Sequence, residues 1–163
     1  MIPIPQGIRL ATFDEETIKW LWVKVKPFDL LFSDHDMKDP ETFLQLFLSP
    51  TTITFWIEDG GFVMVKNLYK GQKAEFHACF WDKHLSSRQD LLRQFVGWLF
   101  LEFELERLET YVATYARAVY RFLTKRLGFH EEGIMRQAWR HKGMLHDMHI
   151  LSILRTEVNL ESN

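Results

Sequence analysis

The chain has 163 residues, with 20 Lys and Arg against 22 Asp and Glu and a net charge of -2, so its overall field offers no attraction for nucleic acid or an anionic membrane. Hydrophobic residues at 47% and aromatic residues at 15% exclude a disordered or low-complexity chain. Cys79 is the only cysteine, which excludes an internal disulfide, and no run approaches the ~18 apolar residues of a membrane span. With no basic stretch and apolar run at Met-Ile-Pro-Ile-Pro, the expectation is one soluble domain over 1–163 in the cytoplasm.

In chain order, Ile8 to Ala11 is a short β-prone run, and Asp14-Glu15-Glu16 opens a helix with Ile18, Leu21, Trp22 and Val25 at helical spacing. Asp39-Pro40-Glu41 marks a second helix start, and Phe43 to Leu48 follow until Ser49-Pro50. From Thr52 to Glu58 the residues are β-branched and aromatic, Asp59-Gly60-Gly61 is turn chemistry, and Phe62 to Val65 resumes a strand. After the turn Lys70-Gly71-Gln72, Ala74 to Trp81 is an aromatic strand, so the middle of the chain reads as an antiparallel meander.

Ser87 to Leu105 gives the longest helical signal, apolar on more than one side, with Ser87 and Asp90 spaced as in a capping box. Thr110 to Thr114 reads as a strand, Arg117 to Leu127 as a helix ended by Gly128, and Ile150 to Leu154 as a last strand. There is no repeat or linker.

Several residues invite a chemical reading. On the strand Glu75-Phe76-His77-Ala78-Cys79, period two puts Glu75, His77 and Cys79 on one face, where Glu75 and His77 are placed to hold a water or accept a proton, or form an exposed pair on a half-buried sheet. Cys79 within an aromatic strand reads as inert core. Arg117, Arg121 and Lys125 recur every four residues along one helical face, as a solvated stripe or as a pocket for phosphate groups. His141, His146, Asp147 and His149 have no close-set ligand spacing, so no metal is expected. The phosphate loop, the G-x-S-x-G elbow and the H-E-x-x-H helix are absent from the sequence, leaving nucleotide hydrolysis, serine esterase and zinc-protease chemistry unsupported.

The order of elements resembles that of the GNAT superfamily of N-acetyltransferases. Leu127-Gly128-Phe129-His130-Glu131-Glu132-Gly133 is similar to its "K-L-G-F-x-x-E-G" turn. Arg136 to Arg140, Gly143, His146-Asp147 and Ser152-Ile153-Leu154 resemble the ending of the ribosomal-protein N-terminal acetyltransferase branch. The resemblance covers roughly residues 8 to 157 and is strongest from Phe76 onward. It implies a single GNAT-like acyltransferase domain of α/β (α+β) class, with a central mixed, mostly antiparallel sheet flanked by helices. It also implies a splayed parallel pair, Phe76 to Trp81 and Tyr111 to Thr114, with acetyl-CoA between and its pyrophosphate at the long helix's N-terminus. A dimer at a sheet edge near Ile150 to Leu154 and a structural role for Asp147 follow from the same resemblance.

The sequence departs from the pattern where the family cradles the pyrophosphate with "R-G-x-G-x-G/A". The aligned stretch Lys83-His84-Leu85-Ser86-Ser87-Arg88 has no glycine, so phosphate would be held by side-chain charge and hydroxyls, or the site has lost acetyl-CoA. Arg117 stands where many members have an Asn that contacts the cofactor, and Thr124 where many have a Tyr that protonates the thiolate. Tyr120, one turn earlier, is the substitute acid or a packing residue.

The expected function is transfer of an acetyl group from acetyl-CoA to a primary amine, a protein N-terminus or a small amine. Glu75, His77 and Tyr120 are the catalytic candidates, and Phe80, Trp81, Lys83 to Arg88 and Arg117 the candidates for acetyl-CoA. The alternatives are a catalytically degenerate GNAT-fold binding or assembly protein, or an acyltransferase using a different thioester donor, with Phe80-Trp81 lining the pantetheine path.

Overall fold

Two aspartates set the first two helices. Asp14 accepts from the Thr17 amide at 2.7 Å and starts α1 (Glu15–Val25), and Asp39 accepts from the Thr42 amide at 2.7 Å and starts α2 (Pro40–Leu48), each satisfying a donor that the first turn leaves open. The computed structural model describes residues 2–58, 60–81 and 88–160. Among them the remaining elements are β1 (Ile8–Leu10), β2 (Ile53–Ile57), β3 (Gly61–Tyr69), β4 (Lys73–Phe80), α3 (Gln89–Glu102), β5 (Arg107–Ala113), α4 (Arg117–Arg126), β6 (His130–His141) and β7 (Met144–Leu154). A 3-10 segment, Lys26–Leu31, links α1 toward α2.

The strands form one seven-stranded sheet in the order β1-β2-β3-β4-β5-β7-β6, and every neighbouring pair is antiparallel except β4 with β5. This is the expected α/β class with a mixed, mostly antiparallel sheet. Period two divides the sheet's side chains between two cores. Phe55, Val63, Phe76, Leu108 and Val112 pack with Phe95, Leu99 and Leu123 of α3 and α4. Phe62, Met64 and Cys79 pack on the opposite face with Ile18, Leu21, Phe43 and Phe47 of α1 and α2. The all-round apolar character of α3 is accounted for by burial of Leu92, Phe95, Val96, Trp98, Leu99 and Phe100, with the Trp98 indole also donating to the Ile2 carbonyl at 3.0 Å.

Five expectations need correction. The long helix stops at Glu102 and not at Leu105, because Glu104 adopts φ 55 while Leu105 folds back to donate to the Phe100 carbonyl. β3 runs on to Tyr69 and β5 begins at Arg107, both beyond the expected strands. His130–His141 is a strand that no alternation announced, since most of its side chains on both faces are exposed or half-buried. Ile150 to Leu154 is no sheet edge: β7 lies between β5 and β6, and β6 is the edge. The proposed capping box at Ser87 lies outside the described residues.

Candidate active site

β4 and β5 are joined over three residue pairs, Lys73 with Arg107, Ala74 with Leu108 and Glu75 with Glu109. Beyond Glu75 the strands part, which leaves Phe76 to Phe80 facing Thr110 to Ala113 across an open V. Charge braces the closed end. Glu109 accepts from Lys73 Nζ at 2.9 Å and from Arg107 Nε at 2.8 Å, and Arg107 also forks onto both oxygens of Glu132. Burial pushes the Glu109 carboxyl up, but Arg107 and Lys73 outweigh it and hold the group below the usual range. The Arg107 bond, helped by Ser152, holds Glu132 at about 2.

A cleft of about 870 Å³ passes through the V and opens on both faces of the sheet. On the α3 and α4 side its walls are Phe76, Ala78 and Phe80 of β4 with Leu92, Val119 and Phe122. On the other side they are Glu75 and His77 of β4, Lys66 of β3, Tyr111 of β5, the 28–36 segment and the β6–β7 hairpin. The hairpin is held over the cleft by Asp34, whose carboxylate accepts from the Lys142 and Gly143 amides at 2.7 and 2.8 Å. Asp34 N–H returns a bond to the Arg140 carbonyl at 2.9 Å. Trp139 Nε1 donates to Tyr115 Oη at 3.0 Å, and Tyr115 Oη donates to the Leu30 carbonyl at 3.1 Å, locking the indole into the wall.

The structure brings Glu75, His77 and Phe80 to this cleft. Glu75 accepts from Asn67 Nδ2 at 2.9 Å and pairs with Lys66 at 3.6 Å. His77 packs its ring on Phe32 and has a buried Nε2 with no hydrogen-bond partner among the described residues. Burial, with the Lys66 charge second, lowers its pKa to about 4, so the imidazole is neutral at ordinary pH. Cys79 lies in the α1 and α2 core, where burial pushes the thiol up to about 12.

The other sequence candidates lie elsewhere. Trp81 packs with Trp20, Trp56 and Phe62 beside a smaller pocket. Arg88 is buried and directs its guanidinium to Glu58 and the Ile57 carbonyl. Arg117 is exposed at the first turn of α4, on the same stripe as the exposed Arg121 and Lys125. Tyr120 packs its ring against His149 at 4.4 Å, tilted by 42°, and its hydroxyl bond to Glu131 raises its pKa. Lys83, His84, Leu85, Ser86 and Ser87 lie outside the described residues.

Asp36, Lys66, Tyr111, Trp139 and Arg140 reach the cleft without having been named as site residues from sequence. Period two on β5 puts Tyr111 on the Glu109 face, but only the splay turns that face into a wall. Asp147, which the resemblance made structural, accepts from the Gln137 amide at 2.8 Å, where β6 turns through φ 51. Among the described residues no group of three or more His, Cys, Asp or Glu is placed to hold a metal ion, and no helix is long and apolar enough to cross a membrane.

No protein-family profile matches the chain, and no curated protein matches it. Solved structures do. The spermidine N-acetyltransferase of Vibrio cholerae, crystallised with CoA and spermine, superposes with a TM-score of 0.74 over 94% of this chain and 99% of that one, at 14% identity. A structure described as a probable acetyltransferase gives a TM-score of 0.70 over 95% and 97%, at 19% identity. The fold is that of the GNAT acetyltransferases. In a GNAT fold the parted β4 and β5, the cleft between them and the helix α3 that follows β4 form one unit, and all three are present here.

Proposed function

We propose that the chain is an N-acetyltransferase that moves an acetyl group from acetyl-CoA to a primary amine. The observation that carries this reading is the cleft through the sheet, open on both faces where β4 and β5 part. Two substrates can enter from opposite sides and meet in it. The α3 and α4 side is apolar and narrowed by no side chain larger than a methyl at Ala78, which suits a thin thioester-bearing arm. Bound there, acetyl-CoA supplies the activated acetyl group. The similarity of fold to a protein crystallised with CoA and spermine supports both substrate classes.

The amine approaches from the Glu75 side. Glu75 receives its ammonium proton through water, and the neutral His77 imidazole orients the freed amine. The nitrogen attacks the thioester carbonyl, the C–N bond forms, the C–S bond breaks, the nitrogen passes its second proton to water in the cleft, and the sulfur leaves as a thiolate that needs a proton. Tyr111, which lines the cleft and donates its hydroxyl to Glu109 at 3.4 Å, is assigned this role ahead of Tyr120, which lies outside the cleft lining against His149. Lys83 to Ser87 remain assigned to the phosphates by the position of their sequence before α3, with Arg117 and its basic stripe as an additional anion contact.

Calorimetric titration with acetyl-CoA tests the reading. Micromolar binding is expected, and Ala78→Trp, which fills the V, weakens it at least about tenfold. Absence of binding at millimolar acetyl-CoA rejects the reading and leaves a GNAT-fold binding protein or a different thioester donor.

A further inference from the structure

The amine side of the cleft carries information about the body to which the amine is attached. Phe28, Leu31, Phe32, Leu46, Met135 and Trp139 give its wall a broad apolar part, and the Tyr115 hydrogen bond fixes the Trp139 ring before any ligand arrives. Among the described residues two carboxylates reach this wall, Asp36 and Glu75, and they are matched by two cations, Lys66 and Arg140. Among the described residues Glu75 is paired with a cation, whereas Asp36 is held by a backbone amide. Asp36 accepts from the Ser33 amide at 2.9 Å, and Glu75 is held by Asn67 and Lys66.

An ammonium brought into such a wall leaves its hydration for a surface whose carboxylates and cations are equal in number, so it gains no net counter-charge. A polyamine meets that cost at every nitrogen. A monoamine meets it once, at a nitrogen that must shed its proton to react, while an aromatic or branched body gains contact with the rings and aliphatic chains around it. His77 Nε2 is the one buried side-chain nitrogen on this wall without a hydrogen-bond partner among the described residues, and it offers that single nitrogen a place.

We infer that the acceptor is a small monoamine with an aromatic or branched-alkyl body, its nitrogen lying between His77 and Glu75, and that polyamines are poor ligands of this cleft. The inference deepens the acetyltransferase reading by naming its substrate class, but amine binding and acetyl transfer are separable.

Calorimetry with 2-phenylethylamine and with spermidine, in the absence and presence of CoA, makes the separation. The expected result is at least tenfold tighter binding of 2-phenylethylamine, with Met135→Glu, which adds an unpaired carboxylate to the wall, reversing the order. A thiol-release assay run in parallel reports transfer. Tight 2-phenylethylamine binding without transfer supports this inference and counts against the acetyltransferase reading alone. Equal or tighter spermidine binding overturns the inference, and if spermidine is acetylated the acetyltransferase reading survives. Failure of both amines to bind at millimolar concentration also overturns the inference, as does faster acetylation of a peptide N-terminus than of either amine.

Discussion

His77 is kept neutral by the fold, with a pKa of about 4 against an ordinary 6.5, because burial and the Lys66 charge both oppose the imidazolium. Between those values the unfolded chain binds a proton that the folded chain refuses. Stability therefore rises with pH through that window and is lost as pH falls from 6.5 toward 4, by an amount on the order of 3 kcal/mol. Urea unfolding at several pH values measures it, and His77→Phe, which keeps the ring beside Phe32, flattens the dependence. Gly61 makes a different demand. A Cβ there runs into the Cys79 carbonyl and the Phe80 ring, so Gly61→Ala destabilises by about 2 kcal/mol or more, read as a lower urea midpoint. For the proton returned to the thiolate, Tyr111→Phe lowers kcat by about a hundredfold while Tyr120→Phe changes it by less than about threefold, and steady-state kinetics compares the two.

The β6–β7 hairpin depends on a contact made far away in sequence. Asp34 accepts from two amides of the hairpin turn, where Lys142 and Gly143 both have positive φ. Asp34→Ala speeds hydrogen exchange at those two amides at least about tenfold and raises KM for the amine while leaving acetyl-CoA binding unchanged. This dependence also marks where the sequence stops being readable. α1 and α2 were legible because Asp14 and Asp39 carry their capping partners three residues on. Glu75 and His77 were legible because a strand's period of two places them together. β6 was not, because an edge strand with little burial on either face shows no alternation. The 28–36 wall was not, because a 3-10 segment and its following loop bury side chains in no regular pattern. Arg88 reads in sequence as a phosphate ligand beside serines, yet its ion-pair partner, Glu58, lies 30 positions earlier, and only the folded β2–β3 turn reveals it.

At the scale of the whole molecule, ligand and stability are linked, since whatever binds the folded chain alone shifts the unfolding equilibrium. Acetyl-CoA at a hundred times its Kd stabilises the protein by about 2.7 kcal/mol, which raises Tm by about 5 to 10 °C in a scanning fluorimeter. Ala78→Trp reduces the shift by about half or more at the same acetyl-CoA concentration. The sheet divides into two plates, β1 to β4 and β5 to β6, that share three rungs of backbone pairing at one end. Mechanically it is a short hinge, and a polar one, clasped by the Lys73–Glu109 pair, with Arg107 and Glu132 bracing Glu109 from the β5 side. Widening the gap breaks no ladder within either plate. Across the open end the two plates are tied instead by the bonds of Asp34 and Tyr115, so concentrated salt, which screens the Lys73–Glu109 clasp, acts on the hinge and leaves those neutral-donor ties in place.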